Sequence, residues 1–153
     1  MNSLQKIFVF RHADFGFDGR INPLGLSQMQ KLADQARRHM EGQRVLILTS
    51  PAPRILDSAQ ALAHALEITE IEQHGELDMG FHSQPKTLAA LAKIVERARD
   101  FTVIIVVTCL EYSVALPTVF GTDILHVAFD GFLPDRGEGC LIDCMEKTLV
   151  CIS

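Results

Sequence analysis

The stretch Phe101–Val107 reads FTVIIVV and is the most apolar run in the sequence. A continuous apolar run of this kind is typical of a strand that is buried on both faces of a parallel sheet. Two shorter apolar runs, Lys6–Phe10 and Val45–Leu48, come earlier in the chain. Segments with apolar residues at helical spacing follow both of them. This alternation predicts an α/β fold built around the Phe101–Val107 strand.

Four helices are predicted from apolar residues that recur close to a 3.6-residue period, and they cover residues 24–40, 53–66, 88–98 and 111–120. Residues 68–71 and 124–129 each have the composition of a further strand. Residues 139–145 and 148–152 predict a terminal hairpin around Glu146-Lys147. Together these elements predict one domain over residues 1–153, a three-layer α/β/α sandwich with a mostly parallel sheet and an antiparallel edge.

The composition narrows the classes of function. The 153 residues carry a formal net charge of -5, and no basic stripe favours a nucleic-acid partner. The apolar runs are too short to span a bilayer, and the first residues lack the apolar core of a signal peptide. We therefore expect a cytoplasmic protein with neither a nucleic-acid partner nor a membrane partner.

Four cysteines stand at positions 109, 140, 144 and 151. Cys140 and Cys144 have no second pair and no neighbouring histidine, so they form a poor zinc signature. Disulfides are not expected in the absence of a secretory signal. Cys140, Cys144 and Cys151 are therefore interpreted as small apolar residues of strands, and no metal site is predicted.

Ligands of open α/β sheets bind beyond the carboxyl ends of the strands, so the residues that follow each apolar run are candidates for a functional site. Arg11 and His12 follow the first run, Arg54 comes shortly after the second, and Cys109 comes shortly after the third. Guanidinium groups form forked hydrogen bonds with phosphate and keep their charge, and a neutral imidazole can attack phosphorus. An Arg-His pair alone would be interpreted as a solvated strand end. With Arg54 added, the set predicts an anion site.

Four blocks in the first half of the chain resemble motifs of one family. Ile7–Asp14 (IFVFRHAD) resembles the strand and RHG motif of histidine phosphatases, and Asn22–Gln28 (NPLGLSQ) resembles their T-P-L-G-x-x-Q motif. Thr49–Ala59 (TSPAPRILDSA) resembles S-S-P-x-x-R-A-x-x-T-A, and Glu76–Gly80 (ELDMG) resembles E-x-x-x-G. The blocks occur in family order, and the strand from Val103 extends the match to about residue 117. The chain thus resembles the histidine phosphatase superfamily (phosphoglycerate mutase-like), and its short length is most similar to the small SixA-type phosphohistidine phosphatases.

The resemblance implies a metal-independent phosphatase without an organic cofactor. Its substrate would be a small phosphoester or a protein that carries phosphohistidine. His12 would be the nucleophile that becomes phosphorylated, and Arg11 and Arg54 would clamp the phosphoryl oxygens. Glu76 would protonate the leaving group, although an exposed loop carboxylate is the competing interpretation of that residue.

Two further residues of these blocks are expected at the substrate. Asp14 lies next to the nucleophile and is a rival proton donor, with a loop or capping residue as the alternative interpretation. Asn22, at the start of the first helix, is counted with Asp14 among the substrate-binding residues. Ala13 replaces the glycine of the RHG motif, which excludes a backbone conformation that only glycine adopts.

Cys109 departs from the family pattern. The family places a second histidine after the late apolar strand, where it donates a hydrogen bond to the phosphoryl group, and here Cys109 occupies that position. A neutral thiol is a weak donor, and a thiolate would repel phosphate. His82, on the loop after Glu76–Gly80, is a candidate to supply the missing donor, with an exposed loop histidine as the alternative.

Two functions stay open on the sequence alone. One is an active phosphatase that works through a phosphohistidine intermediate. The other is a catalytically degenerate relative that uses Arg11, His12 and Arg54 to bind phosphate or a phosphorylated partner without efficient turnover, and Cys109 favours it. A mutase is less consistent, because the chain is short for the closed pocket that a mutase needs.

Overall fold

The computed structural model describes residues 4–77 and 84–153. Strands and helices alternate along most of the chain, and two antiparallel strands end it. The elements are β1 (Lys6–Arg11), α1 (Pro23–Arg37), β2 (Val45–Thr49), α2 (Pro53–Leu66), β3 (Ile71–Gln73), a 3₁₀ turn (Gly75–Leu77), α3 (Gln84–Arg97), β4 (Val103–Thr108), α4 (Leu110–Phe120), a π-helical turn (Gly121–Leu125), β5 (Gly139–Asp143) and β6 (Thr148–Ile152).

The six strands form one sheet in the order β3-β2-β4-β1-β5-β6. The pairs β2–β3, β2–β4 and β1–β4 are parallel, whereas β1–β5 and β5–β6 are antiparallel. β4 lies between β1 and β2, and all six of its residues are buried. The α/β fold with a mostly parallel sheet and an antiparallel edge is therefore confirmed, and its most apolar run forms a central strand.

The direction of the crossovers assigns the helices to two layers. β1, β2 and β3 progress in one direction across the sheet, so right-handed crossovers place α1 and α2 on the same face. β4 returns in the opposite direction, which places α3, the connection between β3 and β4, on the other face. The observed packing of α1 on α2 and of α3 on α4 agrees with this layering. No helix in the described ranges is long and apolar enough to span a membrane.

The strand expected over residues 124–129 is wrong. The π-helical turn extends α4 as far as Leu125, and His126 then ends it in the left-handed conformation with φ 59°. Ile124 and Leu125 are consecutive, and both pack against the core. Two adjacent apolar residues can share one side of a helix, whereas a strand would direct them to opposite faces.

Most other element boundaries move by a few residues. α2 occupies the predicted residues, and α1 begins at Pro23 because Asn22 caps it. The short edge strand lies at Ile71–Gln73, slightly later than residues 68–71. The terminal hairpin is confirmed, with Cys140 and Cys151 opposite one another in its two strands and Cys144 in the turn.

Candidate active site

His12 comes directly after β1 and continues its pairing with β4. Its backbone N–H donates to the carbonyl of Thr108 at 3.0 Å, and the next N–H, that of Ala13, donates to Ser58 Oγ at 2.9 Å. These contacts fix the backbone on both sides of the imidazole. His12 is 5% exposed, so the ring lies in a buried position at the carboxyl edge of the sheet.

The surroundings of the His12 ring select one neutral tautomer. Nδ1 lies 2.9 Å from the carbonyl oxygen of Ala13, and a carbonyl can only accept, so Nδ1 carries the proton. The pKa of His12 is lowered to about 4, first by burial and then by the positive charges of Arg54 and Arg11, while the hydrogen bond to Ala13 opposes the shift. The ring is therefore neutral at pH 7, with a lone pair on Nε2. Such an imidazole can act as a nucleophile.

Arg11 and Arg54 each place an unpaired donor inside the protein. Arg11 Nη1 donates to the carbonyl of Pro134 at 3.0 Å, but Arg11 Nε and Arg54 Nε are buried and have no hydrogen-bond partner in the described part of the chain. A buried unpaired donor costs about 1–3 kcal/mol, and more when the group is charged. An anion bound between the two side chains would remove that cost.

The start of α2 adds to this anion site. Arg54 is the second residue of α2, and the capping residue Ala52 has no side chain that could accept from the first backbone N–H groups. The partial positive charge of a helix N-terminus favours an anion. Pro53 has no N–H and the Ile55 N–H donates to the carbonyl of Ala52 at 3.0 Å, so Arg54 is the residue of the first turn whose N–H could reach the anion. Thr49 and Ser50 lead into this turn and are fully buried.

Phe15 connects the basic side chains to His12. Its ring meets the His12 ring edge-on, with 5.5 Å between centroids. The Arg54 guanidinium carbon lies 5.1 Å from the Phe15 centroid, and that of Arg136 lies 4.5 Å away. Cation–π contacts of this kind position guanidinium groups without neutralising them. Neither Phe15 nor Arg136 was recognised from the sequence, because both lie outside the motif positions.

Asp14 is held as a carboxylate. Its Oδ2 accepts from Asn22 Nδ2 at 2.6 Å, and its Oδ1 accepts from Arg136 Nη1 at 2.7 Å. The hydrogen bonds from Asn22 and then from Arg136 hold the pKa of Asp14 below its usual range. Because a proton donor must be protonated before the reaction, this geometry favours Glu76 over Asp14 for that role. Asn22 also caps α1 by accepting from the N–H of Gly25, so both ends of its amide are engaged.

The loop between His12 and α1 is anchored to α2 by an ion pair. Arg20 donates to Asp57 from Nε at 2.7 Å and from Nη2 at 2.8 Å, and the N–H of Ile21 donates to the same carboxylate. Arg20 is the first cause of the lowered pKa of Asp57. This pair has no signature in the sequence, because the two residues are separated by 37 positions without a shared motif.

Glu76 lies in the 3₁₀ turn after β3. This turn is joined to the strand ends, because the N–H of His74 donates to Thr49 O at 2.8 Å and the Thr108 hydroxyl donates to Leu77 O at 3.4 Å. Glu76 Oε2 lies 4.0 Å from His74 Nδ1, and the Glu76 side chain is 36% exposed. The predicted proton donor thus stands at the same edge of the sheet as His12.

Cys109 is buried beside the His12 strand. Arg11 pairs with Thr108 in the parallel ladder, so His12 and Cys109 are the residues that directly follow β1 and β4. Cys109 is 2% exposed, and burial raises the pKa of its thiol, which keeps it neutral. The Thr108 hydroxyl lies 3.9 Å from its sulfur. A buried neutral thiol therefore follows β4 at the point where His12 follows β1. His82, the suggested replacement donor, lies outside the described residues.

Comparison with known proteins gives structural matches only. No family model matches the sequence, and no curated protein matches it. Among solved structures, a protein from Agrobacterium tumefaciens described as the phosphohistidine phosphatase SixA is 22% identical, with a TM-score of 0.65 and coverage of 97% of this chain and 96% of that one. The protein histidine phosphatase SixA in complex with tungstate is 14% identical, with a TM-score of 0.68 and coverage of 97% and 94%.

A mutant phosphoserine phosphatase from Entamoeba histolytica, in complex with phosphoserine, is 13% identical, with a TM-score of 0.61 and coverage of 97% and 95%. At these identities the likeness concerns the fold, and it extends over nearly the whole of each chain. The chain therefore has the phosphoglycerate mutase-like fold that these histidine and phosphoserine phosphatases share.

Proposed function

We propose that the protein is a phosphatase in which His12 accepts the phosphoryl group of a phosphorylated substrate. The observation that carries the proposal is the buried neutral imidazole of His12, placed beside two arginines whose Nε donors have no protein partner among the described residues. Similarity of fold to a SixA protein solved with tungstate, an oxyanion related in shape to phosphate, supports it. The substrate would be phosphohistidine in a protein or a small phosphoester.

The reaction has two steps. In the first, the lone pair of His12 Nε2 forms a new N–P bond while the bond from phosphorus to the leaving atom breaks, and Glu76 protonates that atom. The leaving atom is the ester oxygen of a phosphoester or the ring nitrogen of the substrate's phosphohistidine. In the second, a water molecule attacks phosphorus, Glu76 takes a proton from the water, and the N–P bond breaks to release phosphate. Arg11 and Arg54 stabilise the charge on the phosphoryl oxygens in both transition states. The scheme uses no metal and no organic cofactor.

A degenerate phosphate-binding protein is the second candidate. Cys109 favours it, because its buried neutral thiol is a weak donor in place of the family histidine. Loss of one transition-state donor costs about 10²–10³ in rate in other enzymes. Binding through Arg11 and Arg54 would survive such a loss, whereas turnover would become slow.

Phosphate release from an aryl phosphate at neutral pH separates the two candidates. The wild type is compared with His12→Ala and with His64→Ala, a matched control because His64 is exposed on α2. The proposal expects turnover that falls about 10³-fold or more in His12→Ala and is unchanged in His64→Ala. Phosphate binding by calorimetry without any turnover in the wild type would support the degenerate protein instead.

A further inference from the structure

His74 lies between two glutamates at the end of the edge strand β3. Its Nε2 lies 3.1 Å from Glu72 Oε1, and its Nδ1 lies 4.0 Å from Glu76 Oε2. Glu72 and His74 are two residues apart in extended chain, so their side chains lie on the same face. The His74 side chain is 19% exposed. Because Glu76 is the proton donor of the proposed reaction, the imidazole of His74 is next to the acid–base group of the site.

Glu72 holds the outer side of this imidazole. Its Oε2 pairs with Arg97 Nη2 at 2.9 Å, while its Oε1 faces His74. Arg97 comes from the last turn of α3, where it also contacts Asp100 at 3.3 Å and lies over the ring of Phe101. Both oxygens of Glu72 are therefore engaged, one by α3 and one by His74.

These contacts determine which ring nitrogen of His74 carries the proton. A carboxylate paired with a guanidinium only accepts hydrogen bonds, so Nε2 of His74 donates to Glu72. In a neutral imidazole the other nitrogen is then an acceptor, and that nitrogen, Nδ1, faces Glu76. In the protonated ring, Nδ1 instead becomes a donor toward the Glu76 carboxylate. One proton can thus be held between His74 and Glu76, either on Nδ1 or on the carboxyl oxygen.

The backbone of the 3₁₀ turn keeps the two groups at this separation. The N–H of His74 donates to Thr49 O at 2.8 Å, and the N–H of Leu77 donates to His74 O at 3.1 Å. His74 therefore joins the turn to β2 and closes it around Glu76. The 4.0 Å between Nδ1 and Oε2 is longer than a hydrogen bond, and the Glu76 side chain is 36% exposed. Rotation of that side chain can close the gap, so Glu76 is able to turn between the imidazole and a bound substrate.

We propose that His74 is a positioning residue that holds the proton which Glu76 delivers to the leaving group. The inference rests on the proposed phosphatase function, since it assigns the source of the proton in the first step. As the bond from phosphorus to the leaving atom breaks, that atom takes the proton from Glu76, which leaves a carboxylate beside a neutral imidazole. In the second step Glu76 takes a proton from the attacking water and shares it with Nδ1, which restores the pair when phosphate is released.

Substrates that differ in their need for a proton test the inference. 4-Nitrophenolate is a stable anion and leaves without a proton, whereas the more basic phenolate is helped by an acid. We expect His74→Gln to lower kcat/KM about tenfold for phenyl phosphate and less than about twofold for 4-nitrophenyl phosphate. The alkaline fall of kcat/KM for phenyl phosphate should also begin at lower pH in this variant, because the carboxyl group alone then holds the proton. His64→Gln, at an exposed position on α2, is the matched control and should change neither substrate.

Two further variants separate a positioning role from a packing role. Since His74 is expected to act through Glu76, adding His74→Gln to Glu76→Gln should lower kcat/KM for phenyl phosphate by less than about twofold. Glu72→Gln keeps the size of the side chain but weakens its hold on the imidazole, so it should give the same leaving-group dependence with a smaller loss.

The outcomes distinguish failure of this inference from failure of the phosphatase proposal. An unchanged rate in His74→Gln, an equal loss for both substrates, or independent losses in the double variant would overturn the role of His74 and leave the phosphatase proposal standing. Release of phosphate from neither substrate by the wild type would overturn both.

Discussion

The two ends of the sheet differ in how their arginines are paired. At the amino end of the parallel strands, Arg37 contacts Asp34 at 2.9 Å and donates to the carbonyl of Ala65. Arg44 there contacts Glu70 at 3.5 Å and lies over a phenylalanine ring. These guanidinium groups are exposed and compensated, so their interactions contribute little to stability.

At the carboxyl end, Arg20 and Arg136 form ion pairs with Asp57 and Asp14, but two other arginines do not. Arg11 and Arg54 have buried Nε atoms, and neither forms an ion pair with a carboxylate in the described part of the chain. The neighbouring carboxylate of Asp14 is engaged by Asn22 and Arg136 instead. An unpaired buried donor is costly, and these two arginines have no carboxylate to compensate it, so they indicate a site that an anion completes. The comparison therefore predicts that the arginines without a carboxylate partner, Arg11 and Arg54, are the ones that bind an anion.

The largest expected contrast lies between one arginine from each end. Arg54→Ala should lower turnover by about 10²–10³, because it removes a donor that stabilises the charged transition state. Arg44→Ala is the matched control and should change turnover by less than about twofold, since an exposed ion pair contributes little. Steady-state phosphate release measures both variants. Equal losses in the two would show that the difference in pairing has no functional meaning.

The pH dependence of stability tests the electrostatics of the carboxyl end. The pKa of His12 is lowered from 6.5 to about 4 in the folded protein, so the unfolded chain binds more protons between these values. The resulting stabilisation is complete above pH 6.5 and is lost as pH falls toward 4, by up to about 3 kcal/mol. Urea unfolding of the wild type and His12→Gln measures it. A loss of stability between pH 6.5 and 4 that is the same in both proteins would refute the lowered pKa.

Cys109→His tests whether a missing hydrogen-bond donor limits turnover at the carboxyl end. Replacing the thiol by an imidazole restores a strong donor beside His12, and we expect turnover to rise about tenfold, part of the 10²–10³ that one ideal donor supplies. Cys109→Ser, which adds no ring, is the control. If turnover falls in Cys109→His while circular dichroism shows an intact fold, the buried position has no room for the donor. A fast wild type that Cys109→His leaves unchanged would indicate another donor, with His82 as the first candidate.

The smallest expected effect concerns the Arg20–Asp57 ion pair, which holds the loop between His12 and α1 against α2. Arg20→Ala leaves Asp57 with the N–H of Ile21 as its remaining hydrogen-bond partner among the described residues, and it removes a mostly exposed guanidinium. We expect the free energy of unfolding to fall by about 1 kcal/mol, because solvent already screens the exposed partner. Phosphate affinity should change by less than about threefold, since the pair lies outside the anion site. A loss of affinity comparable to that of Arg54→Ala would place Arg20 in the site.

Much of the fold was predictable because its signals are local. The run of Phe101–Val107 and the helical period of residues 53–66 depend on neighbouring residues, and the structure has these elements where they were expected. Arg11, His12 and Arg54 could be proposed as one cluster because each follows a strand of a parallel sheet. Their roles in binding and catalysis stay predictions until the variants are measured.

The rest of the site depends on contacts between distant residues. Arg136 contacts Asp14, which lies 122 positions earlier in the sequence. The loop that carries Arg136 has no periodic pattern from which this contact could be predicted. The residues 124–129 were misassigned because their apolar side chains suit a strand equally well, and only the packing of α4 shows that the helix continues. Side chains that act through long-range docking have no signature in a single sequence.

Trapping of the phosphorylated protein tests the central claim most directly. The wild type is mixed with an aryl phosphate, quenched in alkaline denaturant to preserve phosphohistidine, and mapped by peptide mass spectrometry. We predict one phosphoryl group on His12, which is absent in His12→Ala and retained in His64→Ala. Continued phosphate release with His12 unmodified, or a phosphoryl group on a different residue, would contradict the account.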